Sequence, residues 1–203
     1  MIALALCVPQ FAQAQANKQT SKEVAKYSRD GFEATEAKDW DKAVEAFRKA
    51  TELDKKQAPN LIAALQHRGM EHTTQQQYPE AIADFSEALK LKPDDAGIYE
   101  RRAYVEMKTN AYDKALADYS EAIRLKPKEV RYYLLRGYIY ETKGDIKSSL
   151  ADTEQALKLD PNNQEAKSRK SRLETRQSMN APLPSPPPRA SSPKASPAAA
   201  RTP

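Results

Sequence analysis

Metal binding or nucleophilic catalysis needs reactive side chains at workable spacing, and the richest stretch is His67-Arg68-Gly69-Met70-Glu71-His72. A helical zinc pair sets its histidines four residues apart so that both look the same way. His67 and His72 are five apart, which turns them to different faces. His67 and Glu71 do share a face, and that spacing predicts an exposed ion pair. Cys7 is the single cysteine and can form no internal disulfide, and the chain has no Gly-rich phosphate loop and no Gly-x-Ser-x-Gly elbow. The expectation is therefore a protein that is not an enzyme, with no catalytic residues, no metal and no cofactor.

The elements that carry these residues repeat. Ala81-Ile-Ala-Asp-Phe-Ser-Glu-Ala-Leu-Lys-Leu-Lys-Pro93 recurs as Ala115-Leu-Ala-Asp-Tyr-Ser-Glu-Ala-Ile-Arg-Leu-Lys-Pro127, and more loosely from Ser149 to Pro161. Apolar residues such as Ala81, Phe85, Ala88 and Leu89 fall at three- and four-residue steps, which makes one face of a helix. Pro93, Pro127 and Pro161 then end each such helix, because proline has no amide hydrogen to continue the ladder. An earlier copy, Ala43 to Asp54, sits four residues further upstream than the period allows, so the stretch Lys56–Asn60 is expected to lengthen one connection. Each unit is a helical hairpin that leaves one apolar face wet, so neighbouring units must stack.

This period and pattern resemble the tetratricopeptide family over residues 24–163. The family's small residue at the helix crossing is matched by Gly31, Gly69, Ala103 and Gly137. The small residue early in the second helix is matched by Ala43, Ala81, Ala115 and Ser149, and the gap-filling aromatic by Phe47, Phe85 and Tyr119. The resemblance implies an all-α fold, a right-handed α-solenoid of four helix–turn–helix repeats (24–57, 62–95, 96–129 and 130–163). Residues 164–178 read as a polar capping helix with Ala166 and Leu173 turned inward. Repeat four, with Ser149 and Thr153 in place of alanine and an aromatic, is expected to be looser.

Arg68, Arg102 and Arg136 each precede the small crossing residue, and the same three repeats carry Asp84, Asp118 and Asp152. Repeat one lacks both. Their joint presence predicts an Arg–Asp contact within each hairpin, worth about 0–1 kcal/mol if it is partly exposed.

In the resembled family the first helices line a concave face that binds ligands. Carrying one position across gives the ladder Phe32, Met70, Tyr104 and Tyr138. Neighbouring positions give Ser28, Gln66, Glu100 and Leu134, then Thr74, Lys108 and Thr142. The candidate peptide-binding residues are thus Phe32, Gln66, Met70, Glu100, Tyr104, Lys108, Leu134 and Tyr138. Tyrosine offers broad apolar contact plus a hydroxyl, which suits peptide recognition, although the same ladder could simply pack helix on helix. The subfamily that grips the C-terminal carboxylates of heat-shock chaperones needs asparagine where Phe32 and Met70 stand, so an extended or helical segment with apolar anchors is the expected ligand. The alternative is a structural subunit that self-associates through its solenoid ends.

The ends of the chain differ from its middle. Ile2–Val8 is apolar and is followed by Ala12-Gln13-Ala14 and Ala14-Gln15-Ala16, small-x-small patterns of the kind that precede signal cleavage. Residues 1–16 are expected to be a signal segment and 17–23 a linker, which makes the protein exported, periplasmic or extracellular, with a cytoplasmic location as the alternative. The apolar run is too short to span a bilayer. Residues 179–203 hold Arg189, Lys194 and Arg201 with no acid and are rich in Pro, Ala and Ser, so they are expected to be a disordered tail able to touch anionic surfaces weakly. The net charge of +5 resides in these ends and in 164–178, which has five bases against two acids. Nucleic acid, which needs a basic face on the fold, is thereby not an expected partner.

Overall fold

The computed structural model describes residues 7–179, with side chains from residue 12 onward. The first part of the expected signal segment and the Pro-rich tail beyond Met179 lie outside the described residues. Among the described residues nine α-helices follow one another: α1 (Cys7–Glu36), α2 (Trp40–Leu53), α3 (Ala58–Thr74), α4 (Tyr78–Leu91), α5 (Ala96–Lys108), α6 (Tyr112–Leu125), α7 (Val130–Thr142), α8 (Ile146–Leu159) and α9 (Gln164–Met179). Each helix packs on the next, so α1–α2, α3–α4, α5–α6 and α7–α8 form four stacked hairpins closed by α9. The fold is all-α, and its core runs as a ribbon between hairpins.

Local chemistry sets the helix ends. Each hairpin turns through one residue in the left-handed region, Lys38, Gln76, Asn110 or Gly144, with φ of 57°, 61°, 57° and 81°. Such a residue lets the next amides fold back on the last carbonyls of the preceding helix. Asp39 and Asp145 cap the helices that follow, accepting from the amides of Lys42 and Ser148 at 3.2 and 3.0 Å. Two regions differ from expectation. Residues 17–23 continue α1, because a stretch of Asn, Lys, Gln, Thr, Ser and Glu without Gly or Pro contains nothing to stop the ladder. The extra residues after Asp54 become a 3₁₀ turn at Lys55–Gln57 and an added N-terminal turn of α3, which starts at Ala58-Pro59; proline suits the first turn of a helix.

Close helix crossing depends on the small residues. A methyl group at Gly31 would lie 2.6 Å from the ring of Phe47, so only hydrogen fits. Phe47, Phe85 and Tyr119 are buried in successive hairpins. The last hairpin is not looser than the others. Ser149 donates to the carbonyl of Gly137 at 2.8 Å across α7 and α8, and Thr153 is fully buried. The guanidinium of Arg169, reaching from α9, comes within 3.4 Å of where a Gly137 methyl would stand. It donates to the carbonyl of Leu134 and to Glu165, so a side chain from the cap occupies the place beside Gly137. Ala166 and Leu173 of α9 are fully buried.

The Arg–Asp pairs are present in repeats two, three and four. Arg68 donates to Asp84 at 2.6 and 3.0 Å, Arg102 to Asp118 at 2.7 and 2.8 Å, and Arg136 to Asp152 at 2.7 and 2.9 Å. The aspartates are buried, so these pairs are more sheltered than the partly exposed contact expected from sequence. Each arginine also uses Nη1 to reach the hairpin before it, at Asp41, Ser86 or Ser120 respectively. One guanidinium thus ties its own two helices together and joins them to the preceding repeat.

Candidate groove on the first helices

Phe32, Met70, Tyr104 and Tyr138 occupy the same register on α1, α3, α5 and α7, and all four are about half exposed, at 51%, 47%, 46% and 48%. Large apolar side chains at this exposure are otherwise scarce on the described surface, being Leu53, Leu91 and Met179. The members are not equivalent. The ring of Phe32 meets Phe47 of its own hairpin edge-on at 5.2 Å, so one of its edges is already packed. Met70 and Tyr104 flank a groove of about 400 Å³ between α3, α5 and α7. Thr73, Thr74, Glu100, Arg101 and Leu135 complete its walls, and Phe85, Val105 and Tyr119 lie beneath.

Among the other candidates, Glu100 lies in the groove wall and is held by Arg131 of the next repeat at 2.7 Å. Burial raises its carboxyl above the ordinary range, against the pull of Arg131. The ammonium of Lys108 sits 5.2 Å from the Tyr104 ring centre, a cation–π contact that steadies the ring. Gln66 is half-buried on α3, and Ser28 donates to Gln57 at 3.2 Å. Leu134 is not a groove contact. It is 8% exposed and packs with Tyr133, Ala156 and Ala166, because this register faces the following first helix and α9 takes that place here.

The histidines also differ from expectation. His67 stacks on Trp40 at 4.5 Å with planes 9° apart, in place of an ion pair with Glu71. His72 instead lies 3.2 Å from Asp84. Among the described residues, no group of three or more His, Cys, Asp and Glu is placed to hold a metal ion.

Three groove residues escaped the sequence reading. Arg101 and Leu135 share one register, three residues before Tyr104 and Tyr138, and helical spacing alone places them on the ladder's face. Arg101 donates to the sulfur of Met70 and forms no ion pair among the described residues. Tyr119 was assigned only to the core. It is fully buried, and its hydroxyl has no hydrogen-bond partner in the described structure. Burial, with the Glu100 carboxylate nearby, pushes its phenol well up.

Comparison with known proteins agrees with this architecture. The family model described as the ETO1 C-terminal domain, which is tetratricopeptide-like, matches residues 28–178, and the chain belongs to that family. Among solved structures it is similar to a tetratricopeptide repeat protein from Parabacteroides merdae, with TM-score 0.61 and 20% identity over 78% of this chain and 61% of that one. It is also similar to the first TPR of Spaghetti (RPAP3) bound to the HSP90 peptide SRMEEVD, with TM-score 0.54 and 22% identity over 58% of this chain and 93% of that one. A third is the Yersinia enterocolitica type III secretion chaperone SycD in complex with a peptide of the translocator YopD, with TM-score 0.53 and 17% identity over 57% and 94%. At these identities the likeness is one of fold. No curated protein matches the chain by sequence.

Proposed function

We propose that this chain is a non-catalytic scaffold that binds a protein or peptide segment in the groove lined by α3, α5 and α7. The observation that carries the reading is the half-exposed ladder of Phe32, Met70, Tyr104 and Tyr138, which presents one bulky side chain per repeat along a single face. The exposed halves of such a row add nothing to stability unless something covers them. Two of the structural relatives hold peptides, which supports the reading by analogy. The experiment is to pan the immobilised full chain against a display library of random twelve-residue peptides, beside the double variant Met70→Ala plus Tyr104→Ala. Peptides enriched on the parent should lose binding to the variant. Equal retention by both, or no enrichment at all, contradicts a groove ligand.

The same proposal places the protein outside the cytoplasm. Residues 12–22 of α1 are exposed except for Thr20, so the described side chains around Ala14 and Ala16 stand open to a cleaving enzyme. N-terminal sequencing of the mature protein tests this, and a mature chain that still begins at Met1 contradicts it. Self-association through the solenoid end is the weaker reading, since α9 exposes Lys167, Ser168, Ser171, Thr175 and Arg176 beside Met179. A polar, basic face of this kind resists stacking on a copy of itself.

A further inference from the structure

The groove has a chemical pattern more specific than a row of apolar anchors. Its walls at Met70 and Leu135 are apolar, but Tyr119 beneath them carries a hydroxyl that is buried and has no partner among the described residues. Repeats one and two place phenylalanine at this register, Phe47 and Phe85, so the fold itself does not require the oxygen. A buried hydroxyl without a partner is costly to keep, and filling the groove with a purely apolar side chain would seal that cost in. At the rim stands Arg101, a guanidinium bonded among the described residues only to the sulfur of Met70, a weak acceptor. Glu100, the acid nearest in sequence, is already engaged by Arg131.

The geometry points to a partner segment that inserts a tyrosine between Met70, Tyr104 and Leu135, its phenol meeting the Tyr119 hydroxyl, with an acidic residue beside it pairing with Arg101. Tyrosine combines an apolar body with a polar tip, and that matches apolar contacts at Met70 and Leu135 over a floor that carries a single hydroxyl. A groove of about 400 Å³ is of the size that takes one such side chain together with its backbone. Carboxylate on guanidinium supplies the charge complementarity that Arg101 lacks among the described residues. Lys108, beside the Tyr104 ring, adds a second positive group on the same side. This inference rests on the groove being a binding site and specifies what enters it.

The test uses three fluorescein-labelled peptides and the full chain in an anisotropy titration. The probes are Ala-Glu-Tyr-Ala-Ala-Leu, its Phe analogue in place of Tyr, and its Lys analogue in place of Glu. The tyrosine peptide is expected to bind at least about fivefold more tightly than the phenylalanine peptide, the ratio that one satisfied buried hydroxyl supplies. Tyr119→Phe should collapse that ratio toward one, and Arg101→Gln should remove the preference for Glu over Lys. Tyr119→Phe introduces the residue that stands in repeats one and two and removes an unpartnered buried hydroxyl, so its circular dichroism melt should lie at or above that of the parent. Equal affinity for the tyrosine and phenylalanine peptides, or a ratio unchanged by Tyr119→Phe, overturns the inference while leaving the groove as a binding site. Loss of library enrichment on the parent would overturn the groove itself.

Discussion

Arg136 and Asp152 meet across α7 and α8 through two parallel hydrogen bonds, Nη2 to Oδ1 at 2.7 Å and Nε to Oδ2 at 2.9 Å, while Nη1 of the same guanidinium reaches Ser120 of the preceding repeat at 2.9 Å. The side chain of Asp152 is 7% exposed and that of Arg136 is 20% exposed. A planar fork can give Asp152 two parallel hydrogen bonds while a third N–H reaches Ser120, a geometry that the single nitrogen of an ammonium does not reproduce. The pair therefore fixes the hairpin angle and the stacking of one repeat on the next.

Removing one partner leaves the other charge sheltered and unpaired. Asp152→Ala should lower unfolding stability by roughly 2–4 kcal/mol, and Arg136→Lys by roughly 1–2 kcal/mol because it loses one arm of the fork. Urea denaturation of the full chain measures both. A loss for Asp152→Ala within the range of about 0–1 kcal/mol typical of surface pairs would contradict the burial argument.

Arg169 makes a second, more local prediction. It comes from the cap, is 5% exposed, and contacts the carbonyl of Leu134 together with Glu165. Arg169→Ala opens space beside Gly137 and frees that carbonyl, at a cost of roughly 2–4 kcal/mol. In a stacked array the damage stays near its source. Amide exchange should accelerate in α7 and α8 and remain unchanged in α2 and α3. Unchanged protection in α8 would mean that the last hairpin does not depend on the cap.

The third prediction concerns pH. Glu106 is 4% exposed on α5, its Oε2 has no partner, and burial with the facing Asp118 carboxylate of α6 raises its carboxyl to about 7, against an ordinary 4.5. Arg102 on its own helix and Lys114 on α6 pull it back only in part. As pH rises from 4.5, the unfolded chain loses this proton first, so between 4.5 and about 7 the folded state holds more protons and stability falls with pH. Glu106→Gln removes that dependence, and the variant should gain roughly 2–3 kcal/mol on the parent between pH 5 and pH 8. Denaturation curves whose difference stays constant across this range would refute it.

What the sequence made legible was whatever repeats within a hairpin. The 34-residue spacing from Pro93 to Pro127 reveals the units, and the joint occurrence of Arg102 with Asp118 reveals a contact between their helices. Relations between units were hidden. Ser86 and Ser120 are part of the visible repeat, yet nothing in one repeat indicates that the arginine of the next reaches back to them. Leu134 resembles Gln66 and Glu100 by register, but its burial is set by α9, which carries Ala166 where a fifth repeat would begin. Arg169 sits in a helix so polar that a buried cation could not be picked out from its charged neighbours. The unpartnered hydroxyl of Tyr119 was invisible because tyrosine and phenylalanine serve equally well as filler.

The central claim, that the face carrying Met70 and Tyr104 binds a peptide segment, is tested most directly by mapping a bound peptide onto the full chain. Isotope-labelled protein titrated with a library-enriched peptide should show amide shifts concentrated at Met70, Arg101, Tyr104 and Leu135, and Met70→Ala plus Tyr104→Ala should abolish them. Shifts concentrated instead on α9 or on the outer faces of α4 and α6, or shifts that survive the double substitution, would contradict it.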